Sequence, residues 1–518
     1  MAALIAGSVV AVIGSGAMGA GIAQVACASG YRVKLYDTRP EAVAKALAEI
    51  AKMFLKLVEK GRMTAADAAA ATARLQGAGA LAEVADAALV VEAIVENLDL
   101  KRALFAELET LVGDACILAT NTSSISVTAI AAKLRLPQRL VGMHFFNPVP
   151  LMALVEVISG LATAAVVAAT VFDTACAWGK SPVHAKSTPG FIVNRVARPF
   201  YAEALRLLTE QAGDAATLDA VLREAGGFRM GPFELMDLIG HDINFSVTQS
   251  VFNAYFNDPR FTPSVLQQEM VNAGFLGRKS GRGFYPYGAG AGADAQAPQT
   301  EAPQAKPDCV SYSVAAGADG GVCDALALRL ATAGFALARR AMPDGERDSA
   351  PAFHCQGAAI YLSDGRSATE RARANGHPDT VLFDLALDYA GASRIALSCA
   401  DQCDPRAYEA AVGLFQGAGF AVTRLDDVPG LAVMRTVAML ANEAADAVNQ
   451  GVCSAAAVDI AMQKGVNYPR GPLAWADAVG LAHIVAVLHN LAESYGEDRY
   501  RVAPLLRRKL AAGAKFHA

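Results

Sequence analysis

The sequence has no CxxC pair, no apolar run of membrane-spanning length and no surplus of basic charge. Each absence closes off a class of protein. Nine cysteines are scattered along 518 residues, and the closest two are Cys399 and Cys403. An odd, unpatterned set predicts reduced thiols in a cytosol, with neither a disulfide framework nor a metal site. Every stretch of about 20 residues meets a charge or a break, so no membrane span is predicted. Basic residues number 45 against 50 acidic, a formal net charge of −5, which offers no footprint for nucleic acid. A local basic pocket for a phosphorylated ligand stays compatible with that balance. From Met1 to Gly7 there is no basic segment, and the apolar stretch runs straight into a glycine-rich loop. That pattern predicts a buried first strand and not a signal peptide.

What is present describes a folded, multidomain chain. Hydrophobic residues make up 53% and charged ones 18%, which excludes a disordered chain. A single hydrophobic core does not extend over 518 residues, so several domains are expected. Short apolar runs at Val9–Ile13, Arg32–Asp37, Leu89–Ala93 and Ile117–Asn121 alternate with helical periodicity at about 20–29, 40–60 and 65–75. This alternation predicts an α/β fold, a doubly wound parallel Rossmann sheet, over residues 1–187. From Ser187 the pattern turns helical, giving an all-α domain at 188–287. Residues 288–307 are rich in Gly, Ala, Pro and Gln and read as a flexible linker. Strand-like runs at Ala358–Leu362 and Ile395–Ser398 mark a reduced Rossmann-like α/β segment at 308–427, which has no glycine fingerprint.

The last segment, 428–518, repeats the helical domain. Thr188-Pro189-Gly190-Phe191-Ile192-Val193-Asn194-Arg195 parallels Val428-Pro429-Gly430-Leu431-Ala432-Val433-Met434-Arg435 at an offset of 240. The offset persists for Glu203 with Glu443, Gly231-Pro232 with Gly471-Pro472, Asp237 with Asp477 and Gly240 with Gly480. Agreement at one fixed spacing predicts two copies of one helical unit.

The residues with chemical potential cluster early. Gly14-Ser15-Gly16-Ala17-Met18-Gly19 follows a strand, opens a helix and is trailed by Asp37, eighteen residues past the last glycine. In that context the glycines let a backbone approach a pyrophosphate at a helix N-terminus, and the acidic residue favours NAD over NADP by engaging the ribose hydroxyls. Arg39 nearby weakens the preference. His144 lies in Gly142-Met143-His144-Phe145-Phe146-Asn147-Pro148, and Glu156 in Leu154-Val155-Glu156-Val157-Ile158. A histidine or a carboxylate alone in such surroundings reads as a satisfied core residue. Together each explains the other's burial, and the carboxylate would orient and stabilise a charged imidazole, as a general base in alcohol oxidation requires. Ser123, in Asn121-Thr122-Ser123-Ser124-Ile125-Ser126, sits at a strand's ligand edge, or else in a helix cap. Asn194 follows Pro189-Gly190, and its amide either donates to a thioester carbonyl or makes a structural hydrogen bond.

These motifs resemble the (S)-3-hydroxyacyl-CoA dehydrogenase family over nearly the whole chain. The resemblance is most specific at Gly142–Pro150 with Glu156, at Asn121–Ser124, at Thr188–Arg195 and at Gly277-Arg278-Lys279-Ser280-Gly281-Arg282-Gly283-Phe284-Tyr285. It implies a catalytic dyad of His144 and Glu156, with Ser123 and Asn194 as active-site partners and Asn147 near the substrate. It implies NAD contacts from Gly14, Gly16, Ala17, Met18, Gly19, Asp37, Glu96 and Lys101. The duplicated helical domain is similar to the long bacterial form of the family in phenylacetate catabolism. That likeness implies 3-hydroxyadipyl-CoA as the substrate, with short-chain 3-hydroxybutyryl-CoA as the alternative. A non-catalytic, λ-crystallin-like dinucleotide-binding protein is the reading from another class. Met434 replaces Asn194 in the second copy, which leaves one active site per chain.

Three further expectations concern partners. Lys52, Lys56 and Lys60 recur at helical spacing, and Lys56 is a candidate for the CoA phosphates, although such a row is also an ordinary solvated face. A terminal carboxylate on the substrate would need a cation, for which Arg195, Arg198 and Arg229 are candidates. The two helical copies are expected to form an internal pseudo-dimer, and a homo-oligomer of whole chains stays compatible with the sequence.

Overall fold

A computed structural model describes residues 2–287, 297–315, 322–342 and 350–517. The chain divides into two units, Met1–Arg195 with Gln450–Val466, and Val196–Asn449 with Asn467–Ala518.

The first unit is an eight-stranded sheet flanked by helices. Its elements are β1 (Val9–Ile13), α1 (Ala17–Ala28), β2 (Arg32–Tyr36), α2 (Pro40–Glu59), α3 (Ala65–Ala73), β3 (Leu75–Gly77), β4 (Leu89–Glu92), α4 (Leu98–Leu111), β5 (Ile117–Thr120), α5 (Val127–Ala131), β6 (Leu140–Phe145), β7 (Leu154–Ser159), α6 (Ala165–Ala177) and β8 (Ser181–Lys186). The strand order is β3-β2-β1-β4-β5-β6-β7-β8. Strands β1, β4, β5 and β6 are buried throughout, as expected for near-continuous apolar runs covered on both faces.

The sheet departs from the expected all-parallel arrangement at one place. β7 runs antiparallel to β6, and β8 then pairs parallel to β7. The connection from β6 to β7 is eight residues, too short for the crossover that a parallel neighbour requires. The apolar run 154–158 therefore returns alongside β6 in the opposite direction.

The second unit holds most of both helical copies and the second sheet. After α7 (Val193–Val196) at the boundary come α8 (Arg198–Thr209), α9 (Ala215–Glu224), α10 (Pro232–Ile239), α11 (His241–Ala254) and α12 (Val265–Asn272). The second sheet is built from β9 (Val310–Ala315), α13 (Val322–Thr332), β10 (Leu337–Met342), β11 (Phe353–Cys355), β12 (Ala358–Leu362), α14 (Ala368–Asn375), β13 (Thr380–Phe383), β14 (Arg394–Cys399), α15 (Pro405–Gly417) and β15 (Ala421–Arg424). Its order is β10-β9-β11-β12-β13-β14-β15, with mixed pairing. The chain ends with α16 (Val433–Asn449), α17 (Ala455–Gly465), α18 (Pro472–Val479), α19 (Leu481–Tyr495) and α20 (Pro504–Ala511).

The 240-residue repeat is visible in the details of these helices. α10 and α18 each begin with a Gly-Pro pair and stop at a glycine with positive φ, 98° at Gly240 and 101° at Gly480. Only glycine takes that conformation without strain. Asp237 accepts hydrogen bonds from the N–H groups of Phe284 and Tyr285, and Asp477 does the same for Phe516 and His517. Each copy thus ends by strapping its tail to the same helix.

Residues 288–296 of the expected linker lie outside the described residues. The remainder, 297–307, carries no helix or strand, yet it is pinned at several points. Gln299 N–H donates to Thr217 Oγ1, Glu301 N–H to the Val422 carbonyl and Gln304 N–H to Gln416 Oε1. Gln450–Val466, inside the expected second helical domain, groups instead with the first unit, where α17 packs on β7 and β8.

Within the second unit, α8 of the first copy packs on α16 of the second. Charge is buried at this contact. Arg435 is fully buried, and its guanidinium donates to Glu203 at 2.7 Å, to Glu210 at 2.9 Å and to the hydroxyls of Tyr495 and Tyr500. Arg260 of the first copy pairs with Glu443 and Asp446 of the second. Buried pairs of this kind are costly to break because the remaining partner keeps an uncompensated charge. Arg435→Ala is expected to lower stability by about 3–5 kcal/mol in denaturant unfolding. Adding Glu203→Gln to it should recover part of that loss; a loss below 1 kcal/mol (roughly the level of an exposed pair) would show the cluster to be energetically idle.

Candidate active site

The reversal between β6 and β7 makes His144 and Glu156 direct cross-strand partners. Residues opposite each other in an antiparallel pair share a face. Here His144 Nδ1 lies 2.7 Å from Glu156 Oε2, with the two residues 6% and 1% exposed. The other carboxylate oxygen, Oε1, accepts from the N–H groups of Ile192 at 2.9 Å and Val193 at 3.1 Å. Gly190 and Phe191, with φ of 72° and 46°, shape the turn that presents these donors. Both oxygens of a carboxylate buried in apolar strand are therefore satisfied, as burial of the charge requires.

With Nδ1 committed to Glu156, the imidazole has one ring nitrogen left, Nε2. His144 lines a cavity of about 370 Å³ together with Asn121, Ser123, Phe146, Asn147 and Asn194. Met18, from the glycine-rich segment, and Glu96 and Lys101 also line it. Asn194 Nδ2 donates to the Ser123 carbonyl at 3.5 Å, joining two of the expected site residues. Helix capping in the Ser123 run falls to Ser126, whose side chain accepts from Ala129 N–H.

The loop 122–124 is organised by Glu96. Its Oε1 accepts from Thr122 Oγ1 at 2.6 Å, from Ser123 N–H at 3.0 Å and from Ser124 N–H at 3.1 Å. Burial works to raise the Glu96 pKa, but these hydrogen bonds and the Lys101 charge outweigh it and hold the carboxyl below its usual range. Lys101 is 1% exposed, with Nζ 2.6 Å from Glu92 Oε1 and 3.3 Å from Glu96 Oε2. Its charge is spent on these two carboxylates. Glu92 was missed in the sequence, although a carboxylate closing the apolar strand Leu89–Glu92 is itself the signal. It also accepts from Thr120 Oγ1 and Ile94 N–H. Asn121 was also missed as a site residue, and its Oδ1 fixes β6 by accepting from Phe145 N–H at 2.9 Å.

The glycine-rich loop forms a cradle of the expected kind. A Cβ on Gly19 would lie 1.8 Å from the Gly14 carbonyl oxygen, and one on Gly14 2.5 Å from that of Ala93. These two glycines permit close packing of loop, helix and strand. Gly16 differs: a Cβ there meets no protein atom within 4 Å. It would project into open space before the N-terminus of α1, where no side chain caps the helix. Free N–H groups and an empty approach suit a pyrophosphate. Asp37 Oδ2 accepts from both the N–H and hydroxyl of Ser15, at 2.9 and 2.8 Å. Burial opposes ionisation there, but these bonds, with Arg39, keep the Asp37 carboxyl below its usual range.

Other expected residues fall elsewhere. Lys52, Lys56 and Lys60 are exposed along α2, and none lines this cavity. Arg195 is fully buried, with Nη1 2.8 Å from Gln450 Oε1. In the second unit Arg229 is exposed, and Arg198 lines a different cavity, of about 560 Å³.

Comparison with known proteins gives concordant matches. The NAD-binding domain of 3-hydroxyacyl-CoA dehydrogenase matches residues 9–188, and the C-terminal domain of 3-hydroxyacyl-CoA dehydrogenase matches twice, at 190–287 and 430–516. The reduced Rossmann-fold domain of 3-hydroxybutyryl-CoA dehydrogenase matches 360–429. The chain is 42% identical to the 3-hydroxyadipyl-CoA dehydrogenase of Escherichia coli K12, over 96% of this chain and 97% of that protein. It superposes on a crystal structure of 3-hydroxybutyryl-CoA dehydrogenase from E. coli K12 with a TM-score of 0.87 and 40% identity, covering 98% of this chain and all of the other. The 3-hydroxybutyryl-CoA dehydrogenase of Clostridioides difficile is 39% identical over 54% of this chain and 98% of its own length.

The cradle yields a direct test. Gly16→Val is expected to leave the melting temperature unchanged, because its side chain starts in open space, while weakening NADH binding at least about tenfold in a fluorescence titration. An unchanged Kd would show that the dinucleotide passes elsewhere.

Proposed function

The chain belongs to the 3-hydroxyacyl-CoA dehydrogenase family, and on that premise we propose that its own substrate is 3-hydroxyadipyl-CoA. It is an NAD-dependent oxidoreductase that converts (S)-3-hydroxyacyl-CoA to 3-oxoacyl-CoA. The adipyl chain is supported by a relative of that name which matches end to end, duplicated helical domain included. The 3-hydroxybutyryl ester is the second reading, favoured by the name of the full-length structural relative. The reaction belongs, on the same likeness, to phenylacetate catabolism.

The observation that supports the chemistry is the 2.7 Å contact between His144 and Glu156 at the wall of the cavity. Because Nδ1 is held by the carboxylate, Nε2 is the nitrogen that takes the proton of the substrate's 3-hydroxyl. Glu156 fixes the ring's orientation and stabilises the imidazolium that results. Ser123 and Asn194 hold the hydroxyl and thioester oxygens, and Asn147 lies at the substrate's side of the same cavity. Gly14, Gly16, Ala17, Met18 and Gly19 would cradle NAD, with Asp37 toward its ribose, and the bound cofactor would supply the acceptor for the hydride from C3. Lys101 and Glu96 act by shaping the 122–124 loop beside it. In the reverse direction the imidazolium returns its proton to the carbonyl oxygen. Lys56, exposed on α2 after the second strand, is read as a contact for the CoA phosphates.

Among the described residues no single helix is long and apolar enough to cross a membrane. We place the enzyme in the cytoplasm, a reading supported by nine free cysteines. The two helical copies are read as an internal pseudo-dimer, supported by the α8–α16 packing and the Arg435 cluster. Truncation after residue 287 is then expected to give a self-associating or insoluble fragment, and a soluble, active monomer by size-exclusion chromatography would overturn the pseudo-dimer.

His144→Ala is expected to lower kcat by about 10²–10⁴. With 3-hydroxyadipyl-CoA and 3-hydroxybutyryl-CoA assayed side by side for NADH formation, kcat/KM should favour the adipyl ester at least about tenfold. Equal or reversed preference would return the enzyme to the short-chain reading, and turnover near the wild-type rate in the His144 variant would remove the base.

A further inference from the structure

Cys399 and Cys403, the closest cysteines in the sequence, meet at the end of the second sheet. β14 ends at Cys399, and the chain turns at once, Cys403 N–H donating to the Ala400 carbonyl at 2.9 Å. Asp404 then caps α15, accepting from Arg406 N–H at 2.8 Å. The turn keeps Cys403 beside Cys399 on the wall of one cavity, and the Cys403 thiol donates to the Asp404 carbonyl at 3.6 Å. β15 runs parallel to β14, with Arg424 in register with Leu397. That register carries the Arg424 guanidinium to Cys399, Nη2 lying 3.5 Å from Sγ. Arg424 is itself steadied over the Tyr408 ring, 4.8 Å from its centroid. Both cysteines, with Tyr408, Arg424 and Glu301, line a cavity of about 210 Å³. Both cysteines are half-buried.

Among the described residues no other cysteine has an arginine hydrogen-bonded to its sulfur. Burial pushes the thiols of Cys27, Cys116, Cys355 and Cys453 up to about 12. Cys399 moves the other way, lowered chiefly by the neighbouring Cys403 thiol and with help from Arg424, against burial and the charges of Asp427 and Asp401. Cys403 is raised by the neighbouring Cys399, by burial and by Asp379 and Asp404. The sulfur that carries the guanidinium is thus the more readily ionised of the two, which is the division of labour in a dithiol that closes on oxidation.

We propose that Cys399 and Cys403 form a peroxide-reactive dithiol, with Cys399 the attacking sulfur and Cys403 the resolving one. The Cys399 thiolate attacks a hydroperoxide, forming an S–O bond as the O–O bond breaks; the departing oxygen leaves as alcohol or water after taking a proton. The Cys403 sulfur then attacks the Cys399 sulfenic acid. An S–S bond forms, the S–O bond breaks, and water leaves with the thiol proton. Two electrons pass from the two thiols to the peroxide, and an external thiol reverses the step. None of these residues belongs to the dehydrogenase cavity.

The test uses the full-length enzyme and hydrogen peroxide at neutral pH, read by peptide mass spectrometry. A 399–403 disulfide is expected before any oxidation of the exposed reference thiols Cys176 and Cys309. In Cys403→Ser, dimedone should trap a sulfenic acid at Cys399. Arg424→Met is expected to slow iodoacetamide labelling of Cys399 about tenfold at pH 7 and to match wild type at pH 10, where the thiolate is formed in both. Retained dehydrogenase turnover in each variant establishes that the chain is folded. Oxidation falling first on Cys176 or Cys309, or an Arg424 variant that labels at the wild-type rate at pH 7, would overturn the proposal.

Discussion

The site depends on one buried carboxylate. Glu156 sits in an apolar strand with 1% of its surface exposed, and an ionised group there is tolerated only if both oxygens are bonded. One oxygen meets His144 and the other meets the N–H groups of Ile192 and Val193. The same side chain therefore fixes an imidazole on β6 and the start of the segment that carries Asn194. Those two elements are fifty residues apart in the chain, and the carboxylate ties them at a single point. The geometry follows from a topological choice: β7 turns back beside β6. Had it entered by a crossover, Glu156 would not lie opposite His144.

The second copy separates the scaffold from the chemistry. Gly430 and Leu431 repeat the positive φ values of Gly190 and Phe191, at 80° and 53°. A non-glycine residue in that region costs about 1 kcal/mol or more, so its recurrence marks a turn held by strong contacts. In the second copy those contacts come from Asp384, fully buried at the end of β13, whose oxygens accept from Ala432, Val433 and Met434 N–H. Burial lifts the Asp384 carboxyl to about 6 despite these donors. An acidic anchor under the Pro-Gly turn is thus a property of the repeated domain. The first copy adds a histidine to its anchor and an asparagine to its turn; the second has Met434 and no glycine-rich loop. The duplicated unit repeats the joint without those two side chains.

Legibility in the sequence tracks how local each signal is. The β1 strand, the glycines and the first helix lie within twenty residues, and their spacing alone places the cradle. The 240-residue repeat was legible because identity at a fixed offset does not depend on packing. The reversal at β7 was not, since an apolar run such as Leu154–Ile158 carries no direction. Lys101 is a different case. Likeness to a family assigns it to the cofactor, and it lines the cavity beside Met18; that its ammonium also pairs with Glu92 and Glu96 becomes visible only when three elements are brought together. The scattered cysteines carry no pattern in the sequence, and nothing in CxxxC spacing announces that Arg424, from the next strand, sits on one of the sulfurs.

Part of the second helical copy belongs to the first unit. Residues 450–466 lie there and pack on β7 and β8. Lys186 N–H donates to the Val452 carbonyl, and Arg195 to Gln450 Oε1. At the end of α17 the approach is closest: a Cβ on Gly465 would lie 2.5 Å from Leu154 and 3.1 Å from Val193. Leu154 is two residues before Glu156 on the same face of β7, and Val193 donates one of the N–H groups that bind it. Glu156 is near enough to the neighbouring Cys453 that its charge adds to the burial raising that thiol. The helix thus presses on both sides of the carboxylate joint. A segment of the second helical copy covers the strand and the turn whose alignment the His144–Glu156 pair requires, and the length of the chain becomes part of how the site is held.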